Sequence, residues 1–261
     1  MTLDTLSLIA CTASTAALAS WSASRLGHSM LLKGLRPERC PHHTSPESMG
    51  IPAQQVHRVR IPPHEGSAHA TRDHPQLHAL WLVPHAGHPA PWPVVIAQHG
   101  WGANGATLLP LAVPLLDMGV AVLLPDARCH GLSDDARFTS LPRFAEDIDA
   151  TIRWAQMQPQ LDTQRLALAG HSVGAGAALL VASRRSDIRG VLSLSAFAHP
   201  SEVMQRWMNA MRIPQWLLGS WILRHVQQVI GASFDDIAPL RSASQLRCPV
   251  LFVHGENDLT V

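Results

Sequence analysis

The sequence has few cysteines, and they lie far apart. Its 261 residues include Cys11, Cys40, Cys129 and Cys248, and no two of these form a C-x-x-C pair. Zinc sites built on paired cysteines and the dense disulfide frameworks of small secreted domains both need closer spacing. The cysteines therefore indicate neither a zinc site nor a disulfide scaffold, and we expect no metal and no cofactor.

An excess of charge of either sign is also lacking. Lysine and arginine total 20 against 19 acidic residues, and no long run of like charge occurs. Nucleic-acid-binding proteins need a basic surface, so nucleic acid is excluded as a partner. With 46% hydrophobic and 15% charged residues, the chain is too apolar to be disordered and too evenly mixed for several membrane spans. Its length suits one large α/β domain with a buried sheet.

Residues 5–24 contain no charge, and their length matches a helix that crosses a membrane. The segment 1–24 has three interpretations: an uncleaved membrane anchor, a secretory signal cleaved near Ala17-Leu18-Ala19, or a helix packed on the body. Basic residues follow the segment, so an anchor would keep the rest of the chain in the cytoplasm. A cleaved signal would instead lead to a secreted or periplasmic protein.

The rest of the chain divides into a linker, 25–53, and a body, 54–261. Proline, serine and histidine dominate residues 37–50 and predict an extended conformation. The body begins with two short predicted strands near 56–60 and 77–83. Continuous apolar runs follow at 94–97, 120–124, 166–169, 191–194 and 250–253, with helical segments predicted at 106–118, 141–157 and 174–184. This pattern predicts an α/β fold with a mostly parallel, doubly wound sheet and crossover helices.

Residues 170–174 read Gly-His-Ser-Val-Gly, a G-x-S-x-G motif. An apolar strand precedes the motif and a small-residue helix follows it, which is the strand, turn, helix setting that the motif requires. Two glycines permit a sharp turn with Ser172 at its apex, and free N–H groups at the helix start favour a developing negative charge. These features predict Ser172 as a nucleophile, and the alternative is an ordinary serine in a tight turn.

From about residue 54 onward the sequence resembles the α/β-hydrolase superfamily, in particular its serine esterases and lipase-like members. Besides the motif around Ser172, the resemblance rests on His99-Gly100 after a strand and on residues 126–133, Asp-Ala-Arg-Cys-His-Gly-Leu-Ser. Cys129 stands where the family has glycine, and the family uses this second segment for architecture. The resemblance implies ester hydrolysis through an acyl-enzyme on Ser172.

The resemblance also implies an oxyanion hole formed by the backbone N–H groups of Trp101 and Val173. Two preorganised donors stabilise a tetrahedral oxyanion by a few kcal/mol. It further implies that Asp258, which follows the last apolar run in His-Gly-Glu-Asn-Asp, is the acid that orients the catalytic imidazole. A structural aspartate in a turn is the alternative, and Asp235 and Asp236 are weaker candidates because no strand directly precedes them.

The catalytic histidine is unknown. Every histidine in the sequence precedes Asp258, whereas the base follows the acid in this superfamily. We therefore expect an incomplete copy of a serine hydrolase that lacks the base, the final strand and the last helix.

Residues 200–233 are rich in Met, Trp, Leu and Ile, with Met204, Trp207, Met208, Met211, Trp216, Leu217 and Leu218 as the large apolar side chains. This segment predicts either a short helical lid that favours small-molecule esters with hydrophobic acyl groups or ordinary core packing. The predicted function is a carboxylic ester hydrolase. A peptidase or acyltransferase of the same fold, and a non-catalytic binding protein without a base, are the alternatives.

Overall fold

The computed structural model describes residues 25–62 and 75–258, which divide into two units at residues 36 and 37. In the first unit, residues 25–34 form helix α1. Residues 5–24, the predicted anchor or signal, lie outside the described residues. Within the described ranges, no helix combines the length and the apolar character that a membrane crossing requires.

The second unit is built on a seven-stranded sheet with the order β1-β2-β4-β3-β5-β6-β7. Strands β1 and β2 and strands β2 and β4 are antiparallel, and every other neighbouring pair is parallel. The strands are β1 Val56–Ile61, β2 Leu77–Leu82, β3 Trp92–Gln98, β4 Ala121–Pro125, β5 Leu161–His171, β6 Ile188–Leu194 and β7 Val250–Val253. The predicted mostly parallel sheet is therefore confirmed.

Helices connect the parallel strands. They are α2 Leu109–Asp117, α3 Leu141–Gln156, α4 Val173–Arg184, α5 Pro200–Ala210, α6 Ser220–Ile230 and α7 Pro239–Ser244. Helix α3 buries Phe144, Ile148 and Ile152, which recur every four residues along one helical face. All five residues of β4 are buried, because β4 is an inner strand between β2 and β3.

The structure extends some predicted strands. Strand β5 begins at Leu161, five residues before the predicted run at 166–169, and its pairing with β6 shifts register between Leu166 and Leu168. Hydrophobic runs identify only the part of a strand that is buried on both faces. Gln164 and Arg165 are polar and exposed, so the hydrophobic pattern did not predict them as part of the strand.

The segment predicted as a linker has structure of its own. Besides α1 it contains two short 3-10 turns, Glu47–Met49 and Ala53–Gln55. Arg39 donates hydrogen bonds to the carbonyl oxygens of His130, Gly131 and Ser133 at 3.1, 2.6 and 2.8 Å. The chain from residue 37 onward is thus bound to the loop that follows β4.

Residues 200–233, the predicted lid, form α5, a π-helical turn Gln215–Gly219, and α6. Met208, Ile222 and Val226 are buried in this region. Other large apolar side chains are exposed, namely Trp207, Met211, Trp216, Leu217, Leu218 and Trp221. The segment therefore combines a packed face with an exposed apolar face.

Candidate active site

The predicted nucleophile Ser172 lies at the junction of β5 and α4. Its backbone has φ +52° and ψ −120°, a region that residues other than glycine rarely adopt. The Ser172 N–H donates to the carbonyl oxygen of Leu194 on β6 at 2.9 Å, which fixes the turn against the neighbouring strand. The surrounding structure thus holds this serine in a strained conformation.

Two glycines make this turn sterically feasible. A Cβ on Gly174 would overlap the backbone oxygens of Gln98 and His99, and a Cβ on Gly170 would overlap the backbone of Gly174. The G-x-S-x-G spacing therefore lets the start of α4 pack directly on the end of β3.

The loop after β3 passes beside the serine. A Cβ built on Gly100 would lie 3.3 Å from Ser172 Cβ and 3.0 Å from His171 Nδ1. Trp101, the predicted oxyanion donor, follows Gly100 directly, and Val173, the other predicted donor, follows Ser172. In the described turns and loops, neither of these two N–H groups donates to a backbone carbonyl.

His99 holds the beginning of this loop. Its Nδ1–H donates to the carbonyl oxygen of Gly100 at 2.7 Å, and its Nε2 accepts from the N–H of Ala127 at 2.9 Å. These partners require a neutral ring with the proton on Nδ1. Complete burial lowers the pKa of His99 to about 3, with a smaller contribution from the nearby His130, so the ring stays neutral.

His130 holds the other side of the loop. Its Nδ1–H donates to the carbonyl oxygen of Arg128 at 2.9 Å, and its Nε2 accepts from the N–H of Gly102 at 3.1 Å. Burial also lowers the pKa of His130. No role for His130 was predicted from the sequence. Its imidazole reaches the loop only because the ends of β3 and β4 are adjacent.

The segment after β4 is held by its own polar side chains. Arg128 bonds Asp147 on α3 through Nε at 2.9 Å and Nη2 at 2.6 Å. Burial alone would lower the pKa of Arg128, but the charges of Asp147 and Glu146 raise it. Cys129, at the position of a family glycine, has φ +64° and accepts a hydrogen bond from the N–H of Ala136 at 3.3 Å. Its left-handed backbone explains why glycine is usual there.

Asp258, the predicted acid, lies in the turn after β7. Its N–H donates to the carbonyl oxygen of Gly255 at 3.1 Å, and its Oδ2 lies 4.0 Å from His254 Nε2. Among residues 25–62 and 75–258, no histidine forms a hydrogen bond with the Ser172 hydroxyl. The described residues thus bring Ser172 beside the loop after β3 but do not assemble a Ser-His-Asp triad around it.

A different Ser-His-Asp chain, not predicted from the sequence, occurs at the start of α5. His199 Nδ1 accepts from the Ser201 hydroxyl at 2.6 Å and from the Ser201 N–H at 3.2 Å, and His199 Nε2 donates to Asp235 Oδ1 at 3.0 Å. Because His199 is the residue that caps α5, this ring already satisfies a backbone donor of the helix.

Solved structures share this fold. An esterase of Pyrococcus furiosus superposes with a TM-score of 0.64 at 21% identity, covering 87% of this chain and 78% of that one. An acetyl xylan esterase of Paenibacillus sp. R4 superposes with a TM-score of 0.57 at 16% identity, covering 88% of this chain and 84% of that one. At these identities the likeness concerns the fold alone.

Curated relatives match over shorter stretches. An uncharacterized 31.7 kDa protein of Escherichia coli, from the traX-finO intergenic region, is 33% identical over 119 residues, which are 45% of this chain and 42% of the relative. Cutinase 2 of Thermobifida cellulosilytica is 27% identical over 145 residues, 56% of this chain and 41% of the cutinase. The chain thus spans less than half the length of these relatives.

The family model described as serine aminopeptidase, S33 (Hydrolase_4) matches residues 89–236, more than half of the 261 residues. This range includes the loop after β3, the segment after β4 and the turn at Ser172. Together with the seven-stranded sheet, the match shows that the chain belongs to this hydrolase family of the α/β-hydrolase superfamily.

Proposed function

We propose that this protein hydrolyses carboxylic esters through an acyl-enzyme formed on Ser172. The strained backbone of Ser172 at the β5–α4 junction is the observation that carries the proposal. A non-glycine residue at positive φ costs about 1–3 kcal/mol, and such strain clusters at functional sites. Esterases and cutinases among the related proteins support an ester as the substrate.

The proposed reaction needs the groups around the serine together with an imidazole base, which the described residues do not place beside Ser172. Ser172 Oγ attacks the ester carbonyl carbon while an imidazole base accepts the hydroxyl proton. The N–H groups of Trp101 and Val173 stabilise the resulting oxyanion, and the C–O bond then breaks as the alcohol leaves with the proton. Water, activated by the same base, hydrolyses the acyl-enzyme. Asp258 orients the base and stabilises its cation.

The exposed apolar side chains of α5 and α6 favour esters with hydrophobic acyl groups. Peptide hydrolysis is the second candidate, because the family description names an aminopeptidase. The same acyl-enzyme would form from an amide, so turnover of p-nitrophenyl esters and of aminoacyl p-nitroanilides separates the two candidates.

The decisive experiment labels the protein with a fluorophosphonate probe and identifies the modified residue by mass spectrometry. We expect modification of Ser172 and loss of both labelling and ester turnover in Ser172→Ala, with the circular dichroism spectrum unchanged. Ser201→Ala is the matched control, because it removes the other serine hydroxyl that bonds a histidine, and it should label normally. Labelling that survives in Ser172→Ala would refute the assignment.

A further inference from the structure

Three side chains that bind metals meet at one carboxylate oxygen, outside the site around Ser172. His42 Nε2 lies 2.9 Å from Asp126 Oδ2, and His78 Nδ1 lies 3.1 Å from the same oxygen. The three ligand atoms all lie within 4.8 Å of one another. They come from the segment before β1, from β2 and from the residue that follows β4.

Backbone groups fix the carboxylate independently of the two histidines. The N–H of Gly105 donates to Asp126 Oδ1 at 2.7 Å, and the N–H of Leu132 donates to Oδ2 at 2.8 Å. Asp126 is fully buried and His78 is nearly so, whereas the His42 side chain is 19% exposed. The cluster is thus a rigid set of ligand atoms with one partly exposed member.

More N–H groups face Asp126 Oδ2 than this oxygen has lone pairs to accept them. It faces N–H groups from His42, His78 and Leu132, although a carboxylate oxygen offers about two lone-pair sites. An ion bound to His42, His78 and this oxygen would replace two of the donated protons. The Leu132 N–H would then occupy the remaining site.

Burial alone would raise the pKa of Asp126, but hydrogen bonds from His42, His78 and the two backbone N–H groups hold it far below its ordinary value. The second nitrogen of His78, Nε2, has no hydrogen-bond partner among the described residues. Nothing among the described residues therefore competes for Nε2, which can carry the ring proton while Nδ1 binds an ion.

We propose that His42, His78 and Asp126 form a binding site for a divalent transition-metal ion, with zinc as the best match. Two imidazole nitrogens and one carboxylate oxygen suit zinc, whereas calcium and magnesium prefer sites made mainly of oxygen. Three protein ligands leave a fourth position for water. Because no described residue orients the second nitrogen of His78, we expect binding weaker by about 10- to 100-fold than at a zinc site with such a partner.

Bound zinc would stabilise the fold by joining the segment before β1 to the end of β4. This site was not predicted from the sequence, since His42, His78 and Asp126 are separated by 36 and 48 residues and match no short ligand motif. The proposal does not depend on the chemistry of Ser172.

The test is isothermal titration of the metal-free protein with ZnCl₂, together with thermal unfolding at matched zinc concentrations. We expect one saturable site per chain and a rise of several degrees in Tm. In His42→Ala the affinity should fall at least tenfold and the Tm rise should disappear. His42 is chosen because its side chain is partly exposed, so replacing it with alanine should leave the fold intact. Circular dichroism checks the fold.

His43→Ala is the matched control, because His43 is the neighbouring histidine and is exposed. Cys40→Ser tests whether the nearby thiol supplies a ligand instead. Both variants should bind zinc as the unaltered chain does. The proposal is overturned if the unaltered chain shows no saturable zinc site. It is also overturned if His42→Ala and His43→Ala lose equal zinc affinity, or if Cys40→Ser no longer binds zinc.

Discussion

His130 Nε2 accepts a hydrogen bond from the backbone N–H of Gly102 at 3.1 Å. On the other side of Trp101, the carbonyl oxygen of Gly100 accepts from His99. The proposed oxyanion donor, the Trp101 N–H, therefore lies between two residues that buried imidazoles hold in place. A donor positioned before the reaction needs no reorganisation when the oxyanion forms.

Replacing His130 with alanine should lower kcat for ester hydrolysis by about tenfold while KM changes little. Loss of an entire oxyanion donor costs about 10²–10³ in kcat, and a loosened loop should cost less. His130→Gln, whose amide oxygen can still accept from Gly102, should recover part of the rate. The measurement is steady-state kinetics with a p-nitrophenyl ester. Equal changes in kcat and KM would contradict a positioning role.

The buried His99 should make stability depend on pH. Its pKa is lowered to about 3 in the folded protein, whereas an unfolded histidine titrates near 6.5. Between these values the unfolded state binds more protons, so the free energy of unfolding falls as the pH drops below about 6.5. The slope from this one group is at most ~1.4 kcal/mol per pH unit.

Urea unfolding at pH 7.5, 6.0 and 5.0 measures this dependence. Glutamine at position 99 retains a donor and an acceptor but does not titrate. In His99→Gln the free energy of unfolding should therefore fall less steeply as the pH drops. An identical pH dependence in the two proteins would show that His99 does not titrate on unfolding.

Gly174→Ala should destabilise the fold by about 1–3 kcal/mol, the usual cost of an overpacked contact. The new Cβ would overlap the backbone oxygens of Gln98 and His99, and backbone cannot move away as a side chain can. Gly190→Ala is the control, since its nearest neighbour is the Pro249 oxygen at 3.7 Å. Urea unfolding compares the two variants, and equal stabilities would contradict the packing argument.

The rate at which Ser172 reacts with esters and with a fluorophosphonate probe should depend on a histidine base. A serine hydroxyl without a base is a poor nucleophile, and loss of the histidine in a serine protease costs on the order of 10⁶ in turnover. No described histidine bonds Ser172 in this structure. Rapid labelling at Ser172 would show that an upstream histidine acts as the base, and His199→Ala and His254→Ala would then identify it.

The parallel strands and the serine turn are predictable because their signals are local. Strand β4 reads as a continuous apolar run, and the glycines around Ser172 stand at fixed spacing. The cluster at Asp126 is not predictable in this way. His78 comes next to Asp126 only because β2 pairs antiparallel with β4, with Ala79 opposite Pro125. Strand register, unlike a motif, depends on parts of the chain that are distant in sequence.

The bonds that converge on Asp126 also imply an order of folding. Its carboxylate receives donors from residues that lie 84, 48 and 21 positions earlier in the chain: His42, His78 and Gly105. Closing a long loop costs entropy before the contact repays it, so we expect the bond from His42, which closes the longest of the three loops, to form after β2 has paired with β4. The segment that carries His42 should then join a sheet that is already assembled. Its detachment is the first step expected when the protein begins to open.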